Sequence, residues 1–199
     1  MTEHDVLVID TDAELEKIMR RLDTLSEQLK APDVLKRALN TTARKVRRQL
    51  AKDAVERYTL EQKNAFTKES KVLSANTSTL TATVLAKGPM RDIMDFMTQP
   101  NTASGAAAAK ILNSASMKPL EMSKDNKNLK AFVARFRSGH TAIVQRRGAA
   151  RLPVKKLLSP AVPHMMGNEE VRERAEALAY EELVKQIDRQ IERLTGAQA

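Results

Sequence analysis

The chain has 199 residues, 42% of them hydrophobic but only 3% aromatic, with no cysteine, no tryptophan and a formal charge of +9. That length allows one domain with a real core, which must be aliphatic, its gaps filled by nine methionines rather than by rings. The absence of cysteine excludes disulfides and thiolate metal sites, and no apolar run approaches the roughly 20 residues of a membrane span. The MTEHD start is unlike a secretory signal, so the expectation is a soluble protein of the cell interior, or of a particle assembled there. The 34 basic residues outnumber 25 acidic ones, and the acids concentrate in the first and last predicted helices. The basic middle suits nucleic acid, an acidic protein partner or an anionic surface.

Asp5 to Ile9 reads as a short strand. Thr11 and Glu14 stand in capping-box spacing and open a helix with Leu15, Ile18, Leu22, Leu25 and Leu29 on one face, ended by Ala31-Pro32-Asp33. A second helix, about Val34 to Arg57, puts Leu35, Leu39, Val46, Leu50 and Ala54 on one stripe. Arg37, Arg44, Arg48 and Lys52 take its other side, and no acid lies between Lys36 and Lys52. Such a run is either a solvated face or a surface for DNA or an acidic subunit.

Thr59 to Phe66 reads as a helical link. Lys71 to Ala75 and Thr79 to Ala86 read as strands joined by an Asn76-Thr77-Ser78 turn, the second stopped by Gly88-Pro89. Ile93 to Phe96 is expected to be a single helical turn that packs Phe96 inward. Residues 98–127, rich in Ala, Ser and Lys, are expected to be a flexible insertion, with a marginal helical turn around Lys110-Ile111-Leu112.

The stretch FVARFRSGHTAIV predicts a β-hairpin. Phe132, Ala134 and Phe136 alternate with Val133, Arg135 and Arg137, Ser138-Gly139 interrupts, and Ala142, Ile143 and Val144 resume the extended pattern. The alternation is expected to turn Phe132 and Phe136 toward the core, away from the arginines. A third strand over Leu152 to Leu158 begins at Pro153 and is stopped by Pro160 and Pro163. Asn168 offers an N-cap, with Glu169 and Glu170 in the first turn of a last helix reaching Leu194. The predicted fold is α+β: a strand and helix extension over 1–33, then a single domain over 34–199. In that domain an antiparallel sheet of about four to five strands packs against the long helix of the N-terminal half and the long C-terminal helix.

Signs of catalysis are few. His4, His140 and His164 have no second histidine or carboxylate at ligand spacing and read as structural or surface groups. There is no G-x-S-x-G, no H-E-x-x-H and no phosphate-cradling glycine loop, so no enzyme activity, cofactor or metal is expected. Arg135, Arg137, Arg146, Arg147, Arg151, Lys155 and Lys156 gather on or beside the hairpin and third strand, a basic rim able to meet phosphates or an acidic subunit. The plainer reading is a solvated strand face. With both phenylalanines turned away, a DNA contact would be electrostatic and indifferent to sequence. The candidate interface residues are Arg44, Arg48, Arg146, Arg147, Arg151, Lys155 and Lys156.

The run Arg146-Arg147, Arg151-Leu152-Pro153-Val154, Ser159-Pro160, Val162-Pro163, Met165-Met166, Asn168 and Val171 resembles the C-terminal block of the bacteriophage minor tail protein Z family. Ala38-Leu39-Asn40, Ala43 to Arg48 and Arg57 to Leu60 follow the order of that family's N-terminal helix, and Ile93 to Phe96 resembles its apolar anchor. The likeness spans residues 34 to 97 and 130 to 194, and departs at Ser159, where members more often carry Gly. It implies a structural virion protein, assembled in the host cytoplasm, that completes the head-proximal end of the tail for head-tail joining. Implied partners are the tail terminator, tube and connector and further copies in a homo-oligomeric ring, with a nonspecific DNA contact and no membrane. A sequence-independent basic DNA-binding protein is the alternative.

Overall fold

Val34, Leu35, Ala38, Leu39, Ala43, Val46, Leu50 and Ala54 are all buried, and this stripe at helical spacing makes Ala31–Arg57 one helix, α1. It starts three residues before the expected Val34, because Pro32 is tolerated in a first turn whose N–H groups lack helical partners anyway. The structure, a computed structural model, describes residues 2–9, 31–100, 106–124 and 127–195. The helix expected between Thr11 and Leu29 lies outside the described residues.

The other described elements are β1 (Thr2–Ile9), α2 (Ala65–Lys68), β2 (Ser70–Leu73), β3 (Ala82–Gly88), β4 (Arg91–Asp92), a 3-10 turn (Ile93–Asp95), β5 (Met97–Gln99), β6 (Ala108–Lys110), β7 (Lys118–Pro119), β8 (Glu121–Lys124), β9 (Lys127–Arg135), β10 (Thr141–Arg146), β11 (Val154–Lys156), β12 (Leu158–Ser159), α3 (Val162–Met166) and α4 (Glu169–Thr195). The α+β class is as expected, with long helices in the N-terminal half and at the C-terminal end. The described strands pair antiparallel in separate ladders: β1-β3-β2, β11-β10-β9-β8, β12-β4 and β5-β6-β7. None of the described helices is long and apolar enough to cross a membrane.

Helices α1 and α4 pack together, and with α3 and the β1-β3-β2 ladder they enclose the larger core, where Phe66, Phe96, Leu50, Met165 and Met166 are wholly buried. In β1, Val6 is skipped in the register with β3, and this bulge breaks the alternation so that Val6 and Leu7 both bury. A smaller cluster of Ile93, Ala107, Ala109, Ala131, Val133 and Ile143 lies beneath β9 and β10, and Ile111 packs against both cores.

The expected link from Thr59 to Phe66 is helical only from Ala65. Asn76 makes the expected turn, its Oδ1 accepting from Ser78 N at 2.8 Å and Thr79 N at 2.7 Å. The helical turn expected near Lys110 is instead the end of strand β6. Here alanine serves close approach rather than helicity: Ala107 N donates to Ala131 O at 2.9 Å, bringing the small buried Ala107 and Ala109 against β9. Residues 118–119 and 121–124 of the same insertion form β7 and β8. Helix α4 starts where Asn168 was expected to cap it, but the backbone carbonyl of Asn168 does the accepting, from Val171 N and Arg172 N, while its side-chain Oδ1 is buried without a partner.

Asn40 ties α1 to the loop after β2. Its Nδ2 donates to Ala75 O at 3.0 Å while its Oδ1 accepts from Ala75 N at 2.7 Å. Ala75 is itself buried, so Asn40→Ala leaves a peptide group without partners away from water. The expected loss is about 2 kcal/mol in urea denaturation. A variant as stable as the parent would show the clamp to be replaceable.

Candidate functional site

The hairpin turns where only glycine is comfortable: Gly139 has φ +83°, and its N–H donates to Phe136 O at 2.9 Å. From that turn the register runs Ala134 opposite Ala142, Val133 opposite Ile143, and Phe132 opposite Val144, with Val144 opposite Lys156 on β11. Successive strand side chains alternate between faces, so Ala131, Val133 and Ile143 share the inner face and Phe132, Val144, Arg146 and Lys156 the outer one.

This reverses the expected orientation of the phenylalanines. Phe136 is 40% exposed and stacks on His140, with centroids 6.3 Å apart and planes 15° from parallel. Half-buried Phe132 lies under the Arg146 guanidinium, 5.8 Å from the ring centre. The inner face takes the small residues because β6 approaches β9 through alanines, leaving no depth for a ring.

The predicted cations separate. Arg146 stands on the outer face, and exposed Arg147 and Arg151 lie in the connection from β10 to β11, where Arg147 N donates to Pro153 O at 3.1 Å. Lys155 and Lys156 are neighbours in the chain and so point to opposite faces. Lys155 Nζ lies 4.0 Å from Met122 Sδ, whereas Lys156 Nζ lies 2.7 Å from Asp92 Oδ2 and 3.3 Å from His140 Nε2. Arg44 and Arg48 are exposed on α1, which packs on α4 rather than on the hairpin, so they form a separate patch.

Sequence reasoning missed three features. Asp92, 14% exposed at its side chain, meets Lys156 and lies 3.8 Å from His140 Nε2, although neither is near it in sequence. The pairing of β4 with β12 makes that meeting, and local spacing carries no sign of it. Second, a groove of about 450 Å³ runs beside Phe132 and Arg146, lined also by Ala106, Asn128, Leu129 and Lys130. The alternation of Lys130 with Ala131 was its one available signal. Third, a polar cleft of about 310 Å³ lies between α1 and the start of α4, where Arg57 pairs with Glu170 and Asp53 accepts from Gln49 Nε2 at 2.8 Å. The Arg57–Glu170 pair staples the two helices, while Asp53 Oδ2 and Arg57 Nε are buried there without a hydrogen-bond partner.

Among the described residues, no group of three or more His, Cys, Asp or Glu could hold a metal ion. The arrangement offers cations, rings and an exposed ladder edge, which is the chemistry of binding. No family model, curated protein or solved structure matches the chain.

Proposed function

We propose that the protein is a structural component of a phage or prophage virion that completes the head-proximal end of the tail for head-tail joining, through contacts between copies and with neighbouring tail proteins. One observation carries this reading: the residues of the tail-protein likeness occupy the successive corners of one continuous unit. Arg146-Arg147 closes β10, Arg151 to Val154 leads into β11, Ser159-Pro160 ends β12, and Val162, Pro163, Met165 and Met166 bury in α3 before Val171 anchors α4. Ser159, where the family more often has glycine, is 3% exposed, so the departure is a small residue in a closed corner.

That unit presents an edge. β11 is the outer strand of its ladder, and the flanking Leu152 and Leu158 are 69% and 47% exposed. A strand that ends its ladder among the described residues, beside exposed leucines, suits a repeated head-to-tail contact, which closes into a ring when the rotation allows. The adjoining arginines would meet an acidic neighbour or the DNA passing the neck.

The test is a mass measurement of the purified protein alone and with tail tubes. A defined number of copies should add to one end of each tube. The double variant Leu152→Glu, Leu158→Glu should keep its stability to within about 0.5 kcal/mol, since both side chains are exposed, yet lose the tube. Tubes that take up no wild-type protein would contradict the proposal.

A further inference from the structure

We propose that the outer face of β9, β10 and β11 binds single-stranded nucleic acid, with bases stacking on Phe132 and Phe136 and phosphates meeting Lys130 and Arg146. This inference rests on the sheet face alone and does not depend on the tail reading.

The alternation of β9 places Lys130, Phe132 and Ala134 on one side, and Phe136, the next residue in that series, follows the strand directly, its N–H donating to His140 O at 2.8 Å to continue the hairpin. Between the rings and β11, the central strand contributes Ala142 and Val144, both covered by their neighbours and short enough to leave a low floor. The two rings are four residues apart, about 13 Å along a strand. Bases stacked in a duplex rise by only about 3.4 Å each, so rings this far apart suit bases splayed from one another, as in an extended single strand. A duplex keeps its base faces covered and has nothing to offer a flat sheet bearing phenylalanines.

Each ring has a cationic or titratable neighbour: Arg146 over Phe132, and His140 stacked on Phe136 with Lys156 beside it. Among the described residues, Asp92 and Glu121 border the face, and both are engaged. Asp92 is held by Lys156, and Glu121 accepts from Asn128. Lys130 and Arg146 line the groove of about 450 Å³ beside Phe132, which gives a phosphate backbone a cationic track next to a stacking ring. The exposed apolar residues at or beside this face, Phe136, Leu152 and Leu158, are interspersed along the chain with Arg137, Arg151 and Lys156, and such scattered apolar area suits a polyanion with flat bases better than an apolar protein surface.

The test uses the full chain and fluorescence anisotropy with a labelled oligothymidylate, and a duplex of equal length, over a range of salt. The single strand should bind at least about tenfold tighter than the duplex at equal salt. Phe136→Leu and Phe132→Leu, which keep apolar bulk, should each weaken single-strand binding about tenfold, with little change for the duplex. Lys130→Ala and Arg146→Ala should each reduce the slope of log K against log salt by about 0.7. Circular dichroism checks that every variant folds. No binding at low salt, equal affinity for the two probes, or indifference to both phenylalanine variants would overturn the proposal, the last two leaving an unspecific basic rim.

Discussion

Phe96→Ala should cost about 4 kcal/mol, a large part of the stability of an ordinary domain. Phe96 is wholly buried in the larger core, directly after the 3-10 turn Ile93–Asp95. Asp92 caps that turn, its Oδ1 accepting from Met94 N at 3.1 Å, and Phe96 N donates back to Ile93 O at 3.2 Å. The ring is therefore delivered on a short rigid lever. Phe66, the other wholly buried ring of that core, is already packed, and moving it to fill the cavity would open another in its place. Urea denaturation measures the loss, with Phe136→Ala as the exposed control, expected within about 0.5 kcal/mol of the parent. A loss below about 1 kcal/mol for Phe96→Ala would show that the core collapses onto the gap.

Lys45→Met should cost about 3 kcal/mol near neutral pH, more than Glu182→Gln at about 1 kcal/mol. Lys45 on α1 pairs with Glu182 on α4, and Gln186 donates to the same carboxylate. The Glu182 side chain is 10% exposed and that of Lys45 40%. Removing the lysine strands a buried charge, whereas removing the carboxylate leaves an ammonium that still reaches water. Burial by itself raises the Glu182 carboxyl, but hydrogen bonds from Lys45 and Gln186 and the positive charges of Lys45 and Lys185 outweigh it and hold the group below its ordinary 4.5. A depressed carboxyl contributes stability that is fully present above the unfolded value and is lost as pH falls through the folded one. The parent should therefore hold this contribution near neutrality and lose it in acid below about 4.5. In Lys45→Met the carboxyl keeps Gln186 and Lys185 but loses both contributions of Lys45, so it moves upward from its position in the parent, and the deficit against the parent should shrink as acid protonates it. Urea midpoints across that range check both statements, and equal losses for the two variants would contradict the argument.

How much of this the sequence disclosed follows from how local each cause is. The α1 stripe, the inward Phe96, the turns at Asn76 and Gly139 and the end of the strands before Pro160 depend on residues within a few positions of one another, and each could be read in advance. The faces of β9 could not, because alternation says which residues share a side but not which side is covered. That was decided by alanines at 107 and 109, which themselves looked helical until the hydrogen bond from Ala107 to Ala131 and the pairing of Ala109 with β5 and β7 claimed them. The candidate site suffered the same way. Seven cations were legible as a set, yet the adjacent Lys155 and Lys156 are divided between two faces, and the charge that engages Lys156 comes from distant Asp92. Composition foretells a basic surface, while only topology says which bases can act together.

The proposed role is tested most directly by electron microscopy of particles assembled without the protein. Such particles should show filled heads and separate tails whose head-proximal ends are unfinished, with joining restored when the purified protein is added. Normal joined particles in its absence would contradict it.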